Sequence, residues 1–153
     1  MTDKDTVMMI ETNIDDMNPQ YYDHVIDLLL DNGALDAYLT PVIMKKGRPG
    51  VKLSALSPQA LVDEISDVIL RETTSIGLRM YPVERLKLER VITDVETGYG
   101  TIRIKVVRME SDIRYTPEYD DCLEAARNHD IPISKINDAV RAVADKLDLD
   151  GLF

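Results

Sequence analysis

Cysteine, histidine and aromatic residues are scarce in this chain of 153 residues. Cys122 is the one cysteine, the two histidines are His24 and His129, and tryptophan is absent. A lone cysteine forms no intrachain disulfide, so a reducing, cytoplasmic compartment is predicted. These three side chains do not by themselves make a zinc-type centre of nitrogen and sulfur ligands. Any metal held by this chain alone is therefore expected to be a hard cation bound by oxygen atoms.

Long apolar runs are also missing, and so is an excess of positive charge. No apolar stretch approaches the length of about 20 residues that spans a bilayer, and no secretory signal is recognised. The net charge is −10, and residues 1–44 hold nine Asp or Glu against one Lys. The cations gather instead in residues 45–52, as Lys45, Lys46, Arg48 and Lys52. This distribution disfavours a general basic surface for nucleic acid and leaves a local anion site beside an acidic one.

Six segments alternate between strand and helix patterns in the first half of the chain. Their order is βαββαβ, the arrangement of ferredoxin-like folds, and right-handed crossovers place the strands in the order 4-1-3-2. Pro41 removes a backbone donor from the second strand, and this order puts that strand at an edge, where proline is tolerated. The predicted elements are strands at 7–15, 35–44, 51–56 and 76–83, a helix from Asn18–Pro19 to Gly33, and a helix after Ser57–Pro58.

The second half of the chain has a different pattern. Two alternating segments, 86–95 and 101–107, flank the turn signal "TGYG" and predict a hairpin. Two helices follow, one capped at Thr116–Pro117 and one at Ser134. The predicted fold class is α+β, with a ferredoxin-like βαββαβ lobe (7–85) followed by a β-hairpin and two-helix lobe (86–153). The polar start, residues 1–6, is predicted to be disordered or a linker.

Three segments rich in ligand-forming side chains meet at one edge of the predicted sheet. They are Glu11–Pro19 after strand one, Met44–Gly50 between strands two and three, and Arg71–Arg79 before strand four. The basic loop, a helix N-terminus and three hydroxyls offer donors to phosphate oxygens. The side-chain oxygens that could hold Mg²⁺ or Mn²⁺ belong to Glu11, Asn13, Asp15 and Asp16. A metal–nucleoside triphosphate suits this combination.

Each segment also has a purely structural interpretation. A Lys/Arg/Gly/Pro loop between strands is commonly a solvated turn. Acidic residues before a helix commonly match the charge of the helix dipole, and hydroxyls after a helix commonly bond nearby backbone. The functional interpretation therefore depends on the convergence of the three segments, which the inferred topology predicts.

Four motifs resemble one known family. The stretches "ETNIDDMNPQ", "MKKGRPG", "ETTSIGLR" and "TPEYDDC" occur in this order and are similar to the C-terminal domain of LarC, the nickel-insertion protein of nickel-pincer nucleotide synthesis. The resemblance covers nearly the whole chain. The N-terminal region of that family, with its metal-binding histidines, is not in this chain, so an isolated C-terminal domain or a separately made fragment is expected.

The resemblance implies a CTP-dependent nickel cyclometallase, a lyase. Such an enzyme inserts nickel into pyridinium-3,5-bisthiocarboxylic acid mononucleotide, hydrolyses CTP to CMP and pyrophosphate, and requires Mn²⁺ or Mg²⁺. The C-terminal domain is the part associated with CTP and with a homo-oligomer, a trimer or hexamer. It is expected to bind nucleotide without inserting nickel alone, its partner being the N-terminal domain. The catalytic residues stay unknown.

Individual residues are assigned by matching the motifs of the family. The phosphate-binding candidates are Lys45, Lys46, Arg48, Thr73, Thr74, Ser75 and Arg79. The metal candidates are Asn13, Asp15 and Asp16. Arg114, Tyr119 and Asp120 lie in the other lobe and are assigned either to the nucleotide or to a neighbouring subunit.

A rival hypothesis comes from another class of protein. Ferredoxin-like modules also serve as oligomerising regulatory domains, which bind small anionic effectors without catalysis. The basic loop would then dock an effector carboxylate or an acidic neighbour. RNA binding is a third option, which the sequence pI of about 4.6 and the lack of interleaved aromatics disfavour.

Overall fold

A computed structural model describes residues 2–110 and 112–153, which form two compact units. One unit comprises residues 4–85 and the other is built on residues 86–153. Each has its own hydrophobic core. Within the described residues, no helix is both long and apolar enough to cross a membrane.

The first unit is a four-stranded sheet with two helices on one face. Its strands are β1 (Thr2–Ile14), β2 (Asp36–Ile43), β3 (Pro49–Ser57) and β4 (Arg79–Leu88). Its helices are α1 (Tyr22–Asp31) and α2 (Val62–Glu72), each preceded by a single 3₁₀ turn. The strand order is β2-β3-β1-β4, and β3 runs antiparallel to both β1 and β2. This order confirms the predicted fold, including the edge position of the strand that carries Pro41.

Alternation along β1 divides its side chains between two environments. Ile10 and Ile14 point toward the helices and join a core with Leu29 of α1 and Ile65 of α2. Glu11 and Asn13, at the odd positions between them, point to the opposite face of the sheet. In the register of β1 with β3, Glu11 stands opposite Ser54. The same strand thus contributes to the core on one face and to a polar network on the other.

The start of β1 differs from the prediction. Residues 2–6 were expected to be disordered or a linker, whereas β1 already begins at Thr2; Met1 lies outside the described residues. Charged residues at the start of β1 find partners on the neighbouring strand β4: the guanidinium of Arg85 donates to Asp5 through Nε at 3.0 Å. Polar residues that pair across strands do not show the alternation of apolar side chains on which the strand prediction depended.

The second unit is a three-stranded antiparallel sheet covered by two helices. Its strands are β5 (Arg90–Thr97), β6 (Gly100–Met109) and β7 (Asp112–Pro117), in that order. Its helices are α3 (Tyr119–His129) and α4 (Ile133–Ala144). The predicted hairpin and two helices are present, but β7 was not predicted.

Short length and an exposed edge explain why β7 escaped prediction. The strand has six residues, and alternate members of it are only half-buried. Its last two residues, Thr116 and Pro117, were interpreted as a helix cap, but the residue at the cap position is Glu118. Pairing with β6, with Tyr115 opposite Val106, converts the segment into a strand.

Polar contacts fasten α3 to the second sheet. The guanidinium of Arg103 donates to both carboxylate oxygens of Asp121, through Nε at 2.9 Å and Nη2 at 2.7 Å. The backbone N–H of Arg103 donates to the same carboxylate at 2.9 Å. These bonds lower the pKa of Asp121 to about 2. Cys122, one residue further on, is buried, and burial raises the pKa of its thiol, in keeping with a structural role.

Candidate functional site

The end of β1 and the start of the first 3₁₀ turn supply the carboxylates of the candidate site. Asp15 and Asp16 follow β1 directly. The side chain of Asn18 then accepts a hydrogen bond from the N–H of Gln20 at 3.1 Å, and Pro19 occupies the first position of the turn. The predicted capping by Asn18 and Pro19 is confirmed at this 3₁₀ turn, which leads into α1.

The basic turn between β2 and β3 has a defined backbone. Lys46 and Gly47 adopt positive φ angles of 62° and 71°. The N–H of Met44 donates to the carbonyl of Arg48 at 2.7 Å and closes the turn. Nη1 of Arg48 then lies 3.4 Å from Oδ2 of Asp15. A cation of the second segment therefore meets a carboxylate of the first.

The loop between α2 and β4 brings the hydroxyls. The hydroxyl of Thr73 donates to the carbonyl of Ile69 at 2.7 Å and accepts from the N–H of Ser75 at 3.2 Å. The hydroxyl of Thr74 donates to Oδ1 of Asp16 at 2.5 Å. The third segment is thus fixed to the end of α2 and to the first segment.

Together the three segments line one cleft of about 460 Å³. Asp15, Arg48 and Thr74, which lie far apart in the sequence, share this cleft. Its full lining is Thr12, Asn13, Asp15, Asp16, Met44, Lys45, Arg48, Thr74, Ser75, Ile76 and Gly77. The convergence that the topology predicted is present in the structure, whereas the role of each residue in binding stays a prediction.

Three of the predicted phosphate-binding residues do not line the cleft. Lys46 lies in the basic turn but outside the lining, and the hydroxyl of Thr73 is engaged with the end of α2. Arg79 donates through Nε to Glu11 at 3.1 Å and through Nη2 to Asn13 at 2.9 Å. Arg79 therefore contacts the cleft only indirectly, by holding the side chain of Asn13.

Glu11 is the buried centre of a charge network on the face of the sheet opposite the helices. Glu11 is only 5% exposed. Its carboxylate accepts hydrogen bonds from Lys52 at 2.8 Å and from Ser54 at 3.1 Å, in addition to the one from Arg79. Burial by itself raises the pKa of this carboxyl, but the hydrogen bonds from Lys52, Arg79 and Ser54 outweigh it, so the pKa is lowered from 4.5. Glu11 was a further candidate for a metal ligand, but it does not line the cleft, and its oxygens serve these partners.

Thr12 is a cleft residue that the sequence interpretation missed. Thr12 is 5% exposed. Its hydroxyl contacts the hydroxyl of Ser75 and donates a hydrogen bond to the carbonyl of Gly77 at 3.2 Å. These contacts hold the loop at 73–77 against β1. The signal was available, because Thr12 is a polar residue at a core-facing position between Ile10 and Ile14.

Replacing Thr12 with valine is expected to loosen the loop without unfolding the unit. Valine keeps the shape of threonine but cannot bond Ser75 or Gly77, and the loss of such hydrogen bonds costs about 1 kcal/mol. Hydrogen exchange should speed up roughly fivefold or more at the backbone N–H groups of residues 73–77, with core amides of α1 nearly unchanged. Thr12→Ser, which retains the hydroxyl, is the control; equal exchange in the two variants would contradict the assignment.

The residues of the last motif lie in the second unit. Arg114 donates to Asp112 at 3.4 Å, and Tyr119 is 65% exposed at the start of α3. Neither they nor Asp120 are among the residues that line the cleft. Their assignment to nucleotide or to a neighbouring subunit stays a prediction.

The donor set of the cleft suits a divalent cation that binds together with phosphate. Among the residues that the structure describes, no group of three or more His, Cys, Asp or Glu side chains could hold a metal ion. Asp15, Asp16 and Asn13 supply two carboxylates and one amide oxygen. Mg²⁺ in nucleotide sites is typically held by one or two carboxylates plus phosphate oxygens and water. The residues present therefore fit a metal–triphosphate better than a free metal ion.

The fold and the cleft define a class of α+β domain with an acidic-and-basic cleft at the edge of a ferredoxin-like sheet. The family model "Nickel insertion protein" matches residues 1–137. The chain therefore belongs to the nickel insertion protein family.

Relatives of known name and structure agree with this assignment. The chain is 46% identical over 136 residues to the pyridinium-3,5-bisthiocarboxylic acid mononucleotide nickel insertion protein of Acetivibrio thermocellus, covering 89% of this chain and 33% of that protein. It is 43% identical over 135 residues to a putative nickel insertion protein of Dictyoglomus thermophilum, covering 88% and 35%. The chain thus spans about a third of the length of the curated relatives it matches.

Two solved structures resemble the fold. One is the apo form of the C-terminal domain of a cyclometallase involved in the synthesis of the NPN cofactor of lactate racemase, with a TM-score of 0.87 and 35% identity. The match covers 94% of this chain and 100% of that one. The other, a protein of Methanopyrus kandleri, has a TM-score of 0.67 at 22% identity, covers 92% of this chain and 88% of that one, and supports the fold alone.

Proposed function

We propose that this chain is the CTP- and divalent-metal-binding, C-terminal part of a cytoplasmic nickel insertion enzyme. The complete enzyme would insert nickel, as a substrate, into pyridinium-3,5-bisthiocarboxylic acid mononucleotide to give the nickel-pincer nucleotide, and would hydrolyse CTP to CMP and pyrophosphate. The substrate is taken from the name of the relative in Acetivibrio thermocellus. The N-terminal domain would be its partner, and a homo-oligomer its working form.

One observation carries the proposal. A single cleft at the sheet edge places carboxylates, cations and hydroxyls from three distant segments side by side. A triphosphate with its divalent cation presents phosphate oxygens to cations and hydroxyls, and the cation to carboxylates. A plain solvated turn would require none of these groups to face each other.

The residues of the cleft would have different roles in binding, according to their chemistry. Lys45 and Arg48 would neutralise phosphate charge and stabilise the charge that develops on the departing pyrophosphate. The hydroxyls of Thr74 and Ser75 would donate to phosphate oxygens. Asp15, Asp16 and the amide of Asn13 would hold the divalent cation, which when bound supplies further charge neutralisation. No nucleophile is assigned, and the nickel ligands would come from the rest of the enzyme.

Removing one cleft cation is expected to weaken CTP binding while an adjacent cation serves as the control. Arg48→Gln removes a charged donor that lines the cleft, and such hydrogen bonds contribute about 1.5 kcal/mol, which corresponds to roughly a tenfold weaker affinity. Lys46→Gln removes the same charge from the same turn but outside the cleft lining. Calorimetric titration with Mn-CTP at physiological salt should separate the two variants.

Two results would count against the proposal. One is the absence of both heat and thermal protection when the unaltered chain is titrated with Mn-CTP. The other is an equal loss of affinity in Arg48→Gln and Lys46→Gln, because this would show a general charge effect instead of a contact within the cleft.

Exposed apolar residues beside the cleft favour a second candidate, an oligomerising regulatory domain that binds a small anionic effector without catalysis. Ile76 is fully exposed at the cleft, and Ile43 at the end of β2 is 77% exposed. Apolar side chains in such positions suit a contact with another subunit. If Lys45→Gln together with Arg48→Gln dissociates the oligomer in sedimentation while leaving CTP affinity intact, this candidate is preferred.

A further inference from the structure

The groups that would hold the metal and the groups that would hold phosphate bond each other in the cleft. Arg48, a phosphate candidate, contacts Asp15, a metal candidate, at 3.4 Å. Thr74, also a phosphate candidate, donates to Asp16 at 2.5 Å. Each of the two carboxylates therefore shares its oxygens with a donor that a phosphate would also use.

We infer that a divalent cation and a triphosphate bind this cleft by partner exchange, so that each strengthens the binding of the other. Asp15 would leave Arg48 for the cation, and Arg48 would leave Asp15 for a phosphate oxygen. The identity of the two ligands rests on the proposed function. The exchange itself rests on the contact between Arg48 and Asp15.

The charges of the cleft predict that either ligand alone binds poorly. Its lining includes two carboxylates, Asp15 and Asp16, and two cations, Lys45 and Arg48, so the four charges cancel. A cation alone would be repelled by the two cationic side chains, and a triphosphate alone by the two carboxylates. When both arrive, every charge of the lining faces an opposite charge.

The contact between Arg48 and Asp15 is also suited to exchange. The side chain of Arg48 is 58% exposed while that of Asp15 is 16% exposed. An ion pair with one solvated partner contributes little to stability, so opening it does not oppose binding strongly. By linkage, the factor by which the cation raises triphosphate affinity equals the factor by which triphosphate raises cation affinity.

Asp15→Asn tests the exchange directly. The amide keeps the shape of the carboxylate but frees Arg48 and removes one negative charge. In EDTA, inorganic triphosphate and CTP should each bind Asp15→Asn roughly five- to tenfold more tightly than the unaltered chain. The further gain on adding Mn²⁺, expected to be roughly tenfold or more in the unaltered chain, should largely disappear.

A matched control and a reciprocal variant accompany this experiment. Asp150→Asn opens the contact between Asp150 and Arg108, which is 3.1 Å long, lies in the second unit and involves no residue that lines the cleft. It should behave as the unaltered chain. Arg48→Gln removes the competitor for Asp15, so Mn²⁺ alone, followed by electron paramagnetic resonance without any phosphate, should bind it more tightly than the unaltered chain.

The outcomes separate this inference from the proposed function. If Mn-CTP binds but Asp15→Asn binds metal-free triphosphate no better than the unaltered chain, partner exchange is wrong and the proposed function stands. If inorganic triphosphate and Mn²⁺ bind cooperatively but CTP does not bind, the exchange stands and the proposed function falls. If neither triphosphate binds at any Mn²⁺ concentration, both are wrong.

Discussion

Replacing Gly50 with alanine is expected to destabilise the first unit by about 3 kcal/mol, which lowers its Tm by roughly 15 °C. A Cβ atom at position 50 would lie 2.5 Å from the carbonyl oxygen of Ile14. It would also lie 2.9 Å from Sδ of Met44 and 3.3 Å from Cβ of Asp15. The methionine side chain can move aside, but the carbonyl belongs to the backbone of β1, so β1 and β3 would have to separate.

The same clash is expected to damage the cleft. Asp15 and the basic turn both adjoin position 50, so separation of the strands would move the carboxylate away from Arg48. Urea unfolding and a Mn-CTP titration should show losses of stability and of affinity together. Gly98→Ala is the control, because a Cβ atom there meets nothing within 4 Å, and its effect should stay within about 1 kcal/mol. Unchanged stability in Gly50→Ala would contradict the close approach of β1 and β3 at this position.

Glu11→Ala is expected to have a comparable effect on stability, about 3 kcal/mol at neutral pH. The substitution removes the acceptor shared by Lys52, Ser54 and Arg79. Ser54 is fully buried, so its hydroxyl would lose its partner where water cannot replace it. Glu84→Ala, at an exposed position of β4, is the matched control and should cost less than about 0.5 kcal/mol.

The effect of Glu11→Ala should depend on pH in a defined direction. The pKa of Glu11 is lowered from 4.5 in the folded chain, so its ionised form is favoured by folding. The stabilisation is complete above pH 4.5 and is lost as the pH falls through the lowered pKa. The difference in unfolding free energy between Glu11→Ala and the unaltered chain should therefore be constant near neutral pH and shrink in acid. A difference that grows in acid would contradict this account.

The order of the strands could be predicted because few physical constraints decide it. Right-handed crossovers restrict a βαββαβ chain to the order found, and Pro41 requires an edge strand. The start of β1 and the strand β7 could not be predicted in the same way. Their polar residues gain order from partners on other strands, and a pattern read along the chain does not contain those partners.

The candidate site was predictable at the level of segments but not of every side chain. Topology brought Asp15, Arg48 and Thr74 into one cleft, as the sequence predicted. Topology did not decide which partners the long side chains contact. Arg79 lies at the predicted edge, yet its guanidinium donates to the buried carboxylate of Glu11. Thr12 was overlooked for a related reason, since a strand residue between two core isoleucines is ordinarily assigned to packing.

The two residues of positive φ in the basic turn reduce the conformational entropy that the turn loses when it binds an anion. Lys46 and Gly47 are already held in the left-handed region, and the turn is closed by the 2.7 Å bond from Met44 to Arg48. Ordering a backbone residue costs about 1–2 kcal/mol of conformational entropy, and here that loss occurs during folding. A synthetic peptide with the same seven letters, "MKKGRPG", would lose this freedom only on encounter with its anion. The peptide would therefore bind the anion more weakly than its charge alone suggests. Binding by the basic turn is accordingly a property of the folded domain.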